Sequence, residues 1–360
     1  MSSTRPGADV LWSVYATDDE EVRDAVVEQA CSLGAVELFT SLHMPETQDP
    51  AGWVRWMGHV HRTRGARFWA DVSPAGLARL GPAGADLAGC GVVGLRLDYG
   101  YDVEGVRAVA AATGLPIALN ASTVGAAVLD ALAGVEGLVG WHNFYPRPGT
   151  GLDGGYYARQ SRLFTSRGLR LLAFVPGEVT RRAPLYRGLP TLEEHRYRDA
   201  YTSAVRLRAL ADGVEAVCAE GVVAPRHLEW IRRAEDGVLT LPVNLAPGCA
   251  WLEGDWRLRV EETGRSHRLE GTRGRALPGA CANADAMETG SLQMDTLGRY
   301  RGEVHLMTAT APLDGEHVRL GEVAAPYRCL VGLLRGGQQV RLVRADRPAA
   351  GALADAGPPV

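Results

Sequence analysis

The chain has 360 residues, a formal net charge of −4 and 46% hydrophobic residues, too long for one ordinary core and suited to a barrel-sized domain plus a smaller second one. Its charges are interspersed without a basic stripe and no apolar run approaches the roughly 18 to 20 residues of a membrane span, so neither nucleic acid nor a membrane is an expected partner. All 38 basic residues are arginine, which excludes pyridoxal phosphate and Schiff-base chemistry, because both need a lysine amine as covalent partner.

A first strand is predicted at LWSVYA (11–16), and the acids of TDDEEVRDAVVEQACSL start a helix at Thr17 or Asp18, where negative charge complements the helix dipole. Apolar runs that end in a polar tip follow at ELFTSL (37–42), FWADVS (68–73), GLRLDYG (94–100), IALNAS (117–122), GWHNFYPR (140–147), LLAFVPG (171–177) and AVCAE (216–220). Helical stretches separate them, among them DVEGVRAVAAA (102–112), TVGAAVLDALA (123–133) and PTLEEHRYRDAYTSAVRLRAL (190–210), the last with Thr191 and Glu194 at capping-box spacing. Eight such strands alternating with helices predict an α/β fold, a (β/α)₈ TIM-type barrel over 9–236, whose active site is assembled from the polar tips. From about Gly237 the texture changes to short alternating strands, predicting a small all-β barrel or sandwich over 237–345 with a turn near Tyr327 to Leu334. The low-complexity end, 346–360, is predicted to be a disordered tail.

Side chains alternate faces along a strand, so each tip can be phased. Arg96 and Asp98 are expected to point inward from the fourth strand, Asp71 and Ser73 from the third, Asn120 and Ser122 from the fifth, and Glu37 and Ser41 from the second, with Glu37 lower. The eighth offers Glu220 in phase with Ala216 and Cys218. The sixth cannot be phased, since either His142 or Asn143 could lead, and Glu178 falls on the loop after the seventh. In the long loop WHNFYPRPGTGLDGGYY (141–157), Trp141, Phe144 and Tyr145 offer flat surfaces for a sugar ring, and Arg147 offers a planar fork for carboxylate or phosphate. Thr150 and Gly151 allow close backbone approach there. Six cysteines without a C-x-x-C pair read as reduced thiols, and MSSTRPGADV has no signal-peptide apolar core, so the expected compartment is the cytoplasm.

The phrases FTSL, DVSP, LRLDYG, NAS, HNFYPRPGTGL, AFVPG and LPTLEEHR, in this order and spacing, resemble a bacterial family that joins a TIM-type barrel to a C-terminal cyclophilin-like β-domain and includes the 6-phospho-N-acetylmuramidases. TGSLQMDTLGRYRGEVHL (289–306) extends the likeness. The resemblance implies a cytoplasmic glycosidase of cell-wall recycling, needing no cofactor, that hydrolyses 6-phospho-N-acetylmuramyl-N-acetylglucosamine. Glycoside cleavage needs two carboxyl groups, and Asp98 and Asp71 are the first candidates, then Glu220 and Glu178. Arg147, Arg96, Arg182 and Arg299 or Arg301 are candidates for the phosphate and lactyl carboxylate of this phosphorylated muramyl disaccharide. Ser41, Asn120, His142, Asn143 and Thr150 complete the candidate binding groups. The eighth strand ends in CAEGVVAP where the family has Gly-Asp, so Glu220 either replaces that acid or leaves its role empty. Two other readings stand beside this one: a metal-dependent barrel enzyme, such as a class II aldolase or phosphodiesterase, with Asp71, Asp98, His142 and Glu220 as ligands, and a non-catalytic sugar-phosphate binding protein.

Overall fold

The computed structural model describes residues 10–34, 36–44, 46–80, 84, 86–278, 286–312 and 315–346; the expected tail lies almost wholly outside them. The chain divides into two compact units, one through Leu228 and one from Glu229.

In the first unit eight parallel strands close into a barrel: β1 (Val10–Ser13), β2 (Glu37–Ser41), β3 (Arg67–Val72), β4 (Val92–Leu97), β5 (Ile117–Asn120), β6 (Leu138–Trp141), β7 (Arg170–Val175) and β8 (Glu215–Cys218). Parallel pairing runs around the whole ring to Val10 with Ala216, with one register shift between β3 and β4 at Phe68/Trp69. Between them lie α1 (Glu20–Ser32), α2 (Pro50–Arg64), α3 (Pro74–Leu80), α4 (Val103–Thr113), α5 (Ala126–Ala131), α6 (Gly154–Thr165) and α7 (Ala200–Leu210), and α8 (Pro225–Glu235) follows β8 and runs across the division between the units. All eight strands coincide with the sequence expectation, and the helices differ from it for local reasons. α1 starts at Glu20 because the Asp18 carboxylate accepts from Tyr15 N (2.9 Å) and holds a turn ahead of the helix. α5 is shorter than 123–133 because the Asn120 carbonyl takes the N–H groups of Thr123 and Val124, spending them on a turn. The capping box before α7 does not form. Thr191 Oγ1 accepts from Phe174 N and donates to the Asn143 carbonyl, Glu194 pairs with Arg206, and Asp199 caps the helix instead.

The barrel interior follows the period of two. Leu11, Phe39, Trp69, Ala118, Val139, Trp141, Leu172, Phe174 and Val217 fill it, with Phe39, Trp141 and Phe174 in mutual ring contact at 5.1 to 5.9 Å. At Gly94 only hydrogen fits, since a Cβ would lie 2.3 Å from the Trp69 ring. Beneath the aromatics Glu37 accepts from Arg67, Trp69 and Arg170, and Arg170 forks onto Glu215, so charges close the N-terminal end of the barrel. Two phases differ from or complete the sequence reading. On β8 it is Val217 and Ala219 that face inward, so Glu220 does not continue the interior row, and on β6 Trp141 sits inside, which sends Asn143 inward and His142 outward.

The second unit holds β9 (Val238–Leu245), β10 (Gly254–Arg257), β11 (Ser266–Arg268), β12 (Ala286–Met287), β13 (Ser291–Asp295), β14 (Val304–Met307), β15 (Ala311–Pro312), β16 (His317–Val323) and β17 (Gln339–Arg344). Seven form one mixed sheet in the order β10-β17-β9-β16-β13-β14-β11, and β12 pairs with β15. Past their ends the two edge strands meet: Leu258 bridges Leu269, Arg259 N donates to Arg268 O, and Glu270 N to Arg257 O. The edges are thereby covered by each other, which removes a template for unwanted pairing. Leu241, Val243, Leu292, Met294, Leu306, Leu320, Val340 and Leu342 are buried, and the expected turn is a 3-10 helix at Ala325–Leu333.

Candidate active site

At the C-terminal ends of β2, β3, β4 and β6 four expected residues and one unexpected one meet. Asp71, the penultimate residue of β3, receives Arg96 Nη1 on Oδ1 at 2.6 Å and faces His43 Nε2 across 2.8 Å on Oδ2. Arg96, 3% exposed, also lies 3.5 Å from Asp98 Oδ1 and donates through Nη2 to Asn143 Oδ1. His43 Nε2 stands 3.7 Å from Asp98 Oδ2. Two carboxylates are thus bracketed by one guanidinium and one imidazole. Burial alone would lower the His43 pKa, but the hydrogen bond to Asp71 and the charges of Asp71 and Asp98 outweigh it and the value is raised. Tyr99 packs edge-on against the His43 ring, and the buried Tyr101 hydroxyl has no hydrogen-bond partner. Burial and the charge of Asp71 push that phenol up to about 12, so it stays a neutral donor. Asp98 is the more accessible carboxylate, its side chain 23% exposed against 9% for Asp71.

A second polar group forms after β1, β7 and β8. Glu220 is buried; Arg181 Nη1 donates to its Oε1 (3.0 Å) and Arg182 N to its Oε2 (2.7 Å). Desolvation raises its pKa against those donors. The Arg182 guanidinium lies 4.0 Å over the Tyr15 ring and reaches Met44 Sδ (2.9 Å), next to His43. Asp18 nearby is pushed up to about 6, mainly by burial and against the charge of Arg182.

The remaining candidates separate. Glu178 accepts from Ala200 N, Ala224 N and His227 Nδ1, each at 2.7 Å, and so fastens the starts of α7 and α8 to the β7 loop. His142 is fully buried between Ser122 Oγ (3.2 Å) and Ser161 Oγ (3.1 Å), and desolvation drives its pKa down to about 3, so it is a neutral core histidine away from the mouth. Asn120 Oδ1 accepts from Ser122 N in the turn after β5, and Ser41 is buried with its Oγ unpartnered. Trp141 is fully buried and packs on Phe174 as an interior ring, whereas Phe144 packs on the same ring and stays partly exposed. Arg147 and Thr150 are exposed on the β6 loop, where Thr150 Oγ1 donates to the Arg147 carbonyl (2.6 Å). That loop is held by Arg196, which donates to the carbonyls of Tyr145 and Arg147, and by Glu193, which accepts from Gly149 N and Gly151 N. Arg299 and Arg301 belong to the second unit, where Arg299 Nη2 donates to its neighbour Tyr300.

His43 was within reach of sequence reasoning: the inward row of β2 runs Glu37, Phe39, Ser41, and one further step gives His43. Tyr101 had no such signal, because it sits on the irregular turn before α4, where no period applies. The ligand set expected for a metal enzyme is not assembled, since His142 and Glu220 lie apart from Asp71 and Asp98. His43, Asp71 and Asp98 do bring three ligand atoms within 4.8 Å of one another, but Arg96 Nη1 already contacts both carboxylates. A divalent cation there would meet its charge at close range.

The model of the family described as 6-phospho-N-acetylmuramidase, N-terminal, matches residues 12–219. The chain is similar to a conserved protein of unknown function from Enterococcus faecalis, with 26% identity, 93% of this chain and 96% of that one covered, and a TM-score of 0.75. It is also similar in fold to an uncharacterized B. cereus protein, with 24% identity, 94% and 100% covered, and a TM-score of 0.75. No curated protein matches it.

Proposed function

Because the chain belongs to the 6-phospho-N-acetylmuramidase N-terminal family, we propose that it is a glycoside hydrolase that cleaves 6-phospho-N-acetylmuramyl-N-acetylglucosamine, with Asp71 and Asp98 as its working carboxylates. The observation that carries this reading is the pair itself: two aspartates at the tips of adjacent strands, joined by one buried arginine and one histidine. Cleaving a glycosidic bond requires a proton for the leaving oxygen and stabilisation of the oxocarbenium-like centre. Asp98, the more accessible of the two and held more loosely, 3.5 Å from Arg96 and 3.7 Å from His43, is placed to give the proton. Asp71 is held on both oxygens by charge-assisted contacts and suits a fixed negative role. The two acids share one side of Arg96 instead of facing each other across a gap. That arrangement fits a reaction in which the substrate's own 2-acetamido oxygen attacks the anomeric carbon while Asp71 orients the amide and Asp98 protonates the departing sugar. Asn143, the free Tyr101 hydroxyl and the exposed Arg147 are the groups proposed to bind the sugar and its phosphate. Arg182, which reaches Met44 beside His43 and has Asp18 and Glu220 near it, is proposed as a second anion partner. Cytoplasmic recycling of cell-wall fragments and a cyclophilin-like character of the second unit belong to the same proposal.

The test is incubation of purified protein with the 6-phosphorylated disaccharide and its unphosphorylated counterpart, following released N-acetylglucosamine with and without chelator. Selective, chelator-insensitive cleavage of the phosphorylated substrate is expected. Cleavage of neither would overturn the assignment, and loss of activity on chelation would return weight to a metal enzyme.

A further inference from the structure

We propose that Asp295, His305 and His317 of the second unit form a binding site for a divalent transition-metal ion of the Zn²⁺ class. The three residues come from neighbouring strands: Asp295 ends β13, His317 lies directly opposite it at the start of β16, and His305 on β14 is opposite Gln293. Gln293 is two residues before Asp295, so all four share one face of the sheet. The imidazoles converge on one carboxylate, His305 Nε2 at 2.9 Å from Oδ2 and His317 Nε2 at 3.0 Å from Oδ1, with ring centroids 5.5 Å apart. One ligand atom from each residue lies within 4.8 Å of the other two. Zn–N and Zn–O bonds of about 2.0 to 2.2 Å set the edges of a tetrahedron at roughly 3.3 Å, so the ligands stand near coordination distance already. Two imidazoles and one carboxylate form a donor set that suits Zn²⁺ and related ions and leaves positions for water.

Three further features support a ligand site over a simple strand tie. His305 Nδ1 meets Ser266 Oγ at 3.2 Å, the outer contact that fixes a ligating imidazole by its second nitrogen. Gln293, fully buried beside the cluster, leaves Oε1 without a hydrogen-bond partner. The Asp295 carboxylate touches, among the described residues, only these two imidazoles. The other compact cluster, Glu178, Asp199 and His227, differs here: the Glu178 oxygens are consumed by two backbone N–H groups and a histidine, which leaves no place for a cation. Arg319, opposite Gln293, is drawn aside by Glu322 and Glu288, and Glu303, opposite Asp295, is matched by Arg259, Arg268 and Arg273. Among the described residues, the arginines nearest the cluster are thus matched by carboxylates. Side-chain exposures of 14 to 18% give an ion a path from solvent.

The experiment uses the full chain, dialysed against chelator and titrated with Co²⁺ for visible absorption and with Zn²⁺ by calorimetry. The expected result is one saturable equivalent that is weakened more than roughly a hundredfold by His305→Gln or His317→Gln, and about 10 to 100-fold by Ser266→Ala. His43→Gln and His227→Gln should leave binding unchanged. Circular dichroism of the metal-free variants separates lost ligation from lost folding, and Ser266→Ala keeps the test open should a histidine variant not fold. Absence of saturable uptake by the wild type, or wild-type affinity in folded His305→Gln and His317→Gln, would overturn the proposal.

Discussion

Replacing Arg96 with methionine keeps much of the side-chain volume and removes the charge from the centre of the mouth. Three acceptors lose their donor at once: Asp71 at 2.6 Å, Asn143, and Asp98 at 3.5 Å. Asp71 is 7% exposed, so water cannot replace the guanidinium, and only His43 remains to balance it. Breaking a buried ion pair by removing one partner costs about 3 to 5 kcal/mol, most of it the penalty of the orphaned charge. At about 2 to 4 °C per kcal/mol for a unit of this size, Tm should fall by roughly 10 °C. The origin of that loss is separable. Adding Asp71→Asn to Arg96→Met removes the orphan, so the double variant should be more stable than the two single losses predict, by about 2 kcal/mol. Urea unfolding followed by fluorescence, with Trp69 and Trp141 reporting from the barrel interior, measures all four proteins. A loss under about 1 kcal/mol for Arg96→Met, or a double variant additive within about 0.5 kcal/mol, would refute the view of Arg96 as a buried counter-ion.

The two aspartates should separate kinetically. Asp98→Asn is expected to lower kcat on the disaccharide by about 10² to 10⁴ and to recover with an aryl glycoside whose leaving group needs no proton, whereas Asp71→Asn should be slow on both; equal rescue of the two would contradict the assigned roles. The His43 contact implies a defined pH dependence of stability. Its folded pKa is raised above the unfolded one, so its contribution is complete below the ordinary histidine range and disappears as pH rises through the folded value. The stability gap between wild type and His43→Gln should therefore narrow on going from pH 6 to 9, and a gap that widens would reverse the sign. His142 and His195 act oppositely. Desolvation depresses both to about 3, so their contribution is present above the ordinary histidine pKa and declines as pH falls toward 3, visible as steepening acid destabilisation in urea titrations that His142→Asn should reduce. Gly177→Ala should destabilise by several kcal/mol and displace the arginine loop, because its Cβ would sit 1.7 Å from the Glu220 carbonyl oxygen and backbone cannot swing away; a variant with wild-type Tm would show that the loop yields freely.

The barrel was legible because strands apolar in the body and polar at the tip leave a signal that survives without tertiary information. The same signal placed Asp71, Arg96 and Asp98 correctly on the inward face, since all three lie within regular strand or one step beyond it. It lost precision past the strand ends. Glu220 lies two residues beyond β8, where the alternation no longer holds, and its contacts come from Arg181 and Arg182, thirty-nine and thirty-eight residues earlier in the chain. By sequence Glu178 falls on the loop past β7 as a candidate acid, yet three N–H donors brought together by folding use it as an anchor. For His142 the residue type suggested chemistry, and only the phase set by Trp141 on the same strand shows that it turns away. Histidine on an irregular loop and histidine in a core look alike until the neighbouring side chains are known.

The aromatic packing of Phe39, Trp69, Trp141 and Phe174 has a consequence beyond filling space. It lies under the carboxylates as a poorly polarisable floor, so the charges of Asp71, Arg96 and Asp98 can be screened by water from above only. Whatever settles on the mouth replaces that single screening layer, and attraction among the charges then grows as the local dielectric falls. A sugar arriving there would itself tighten the constellation that acts on it, while an empty mouth keeps the same groups mild.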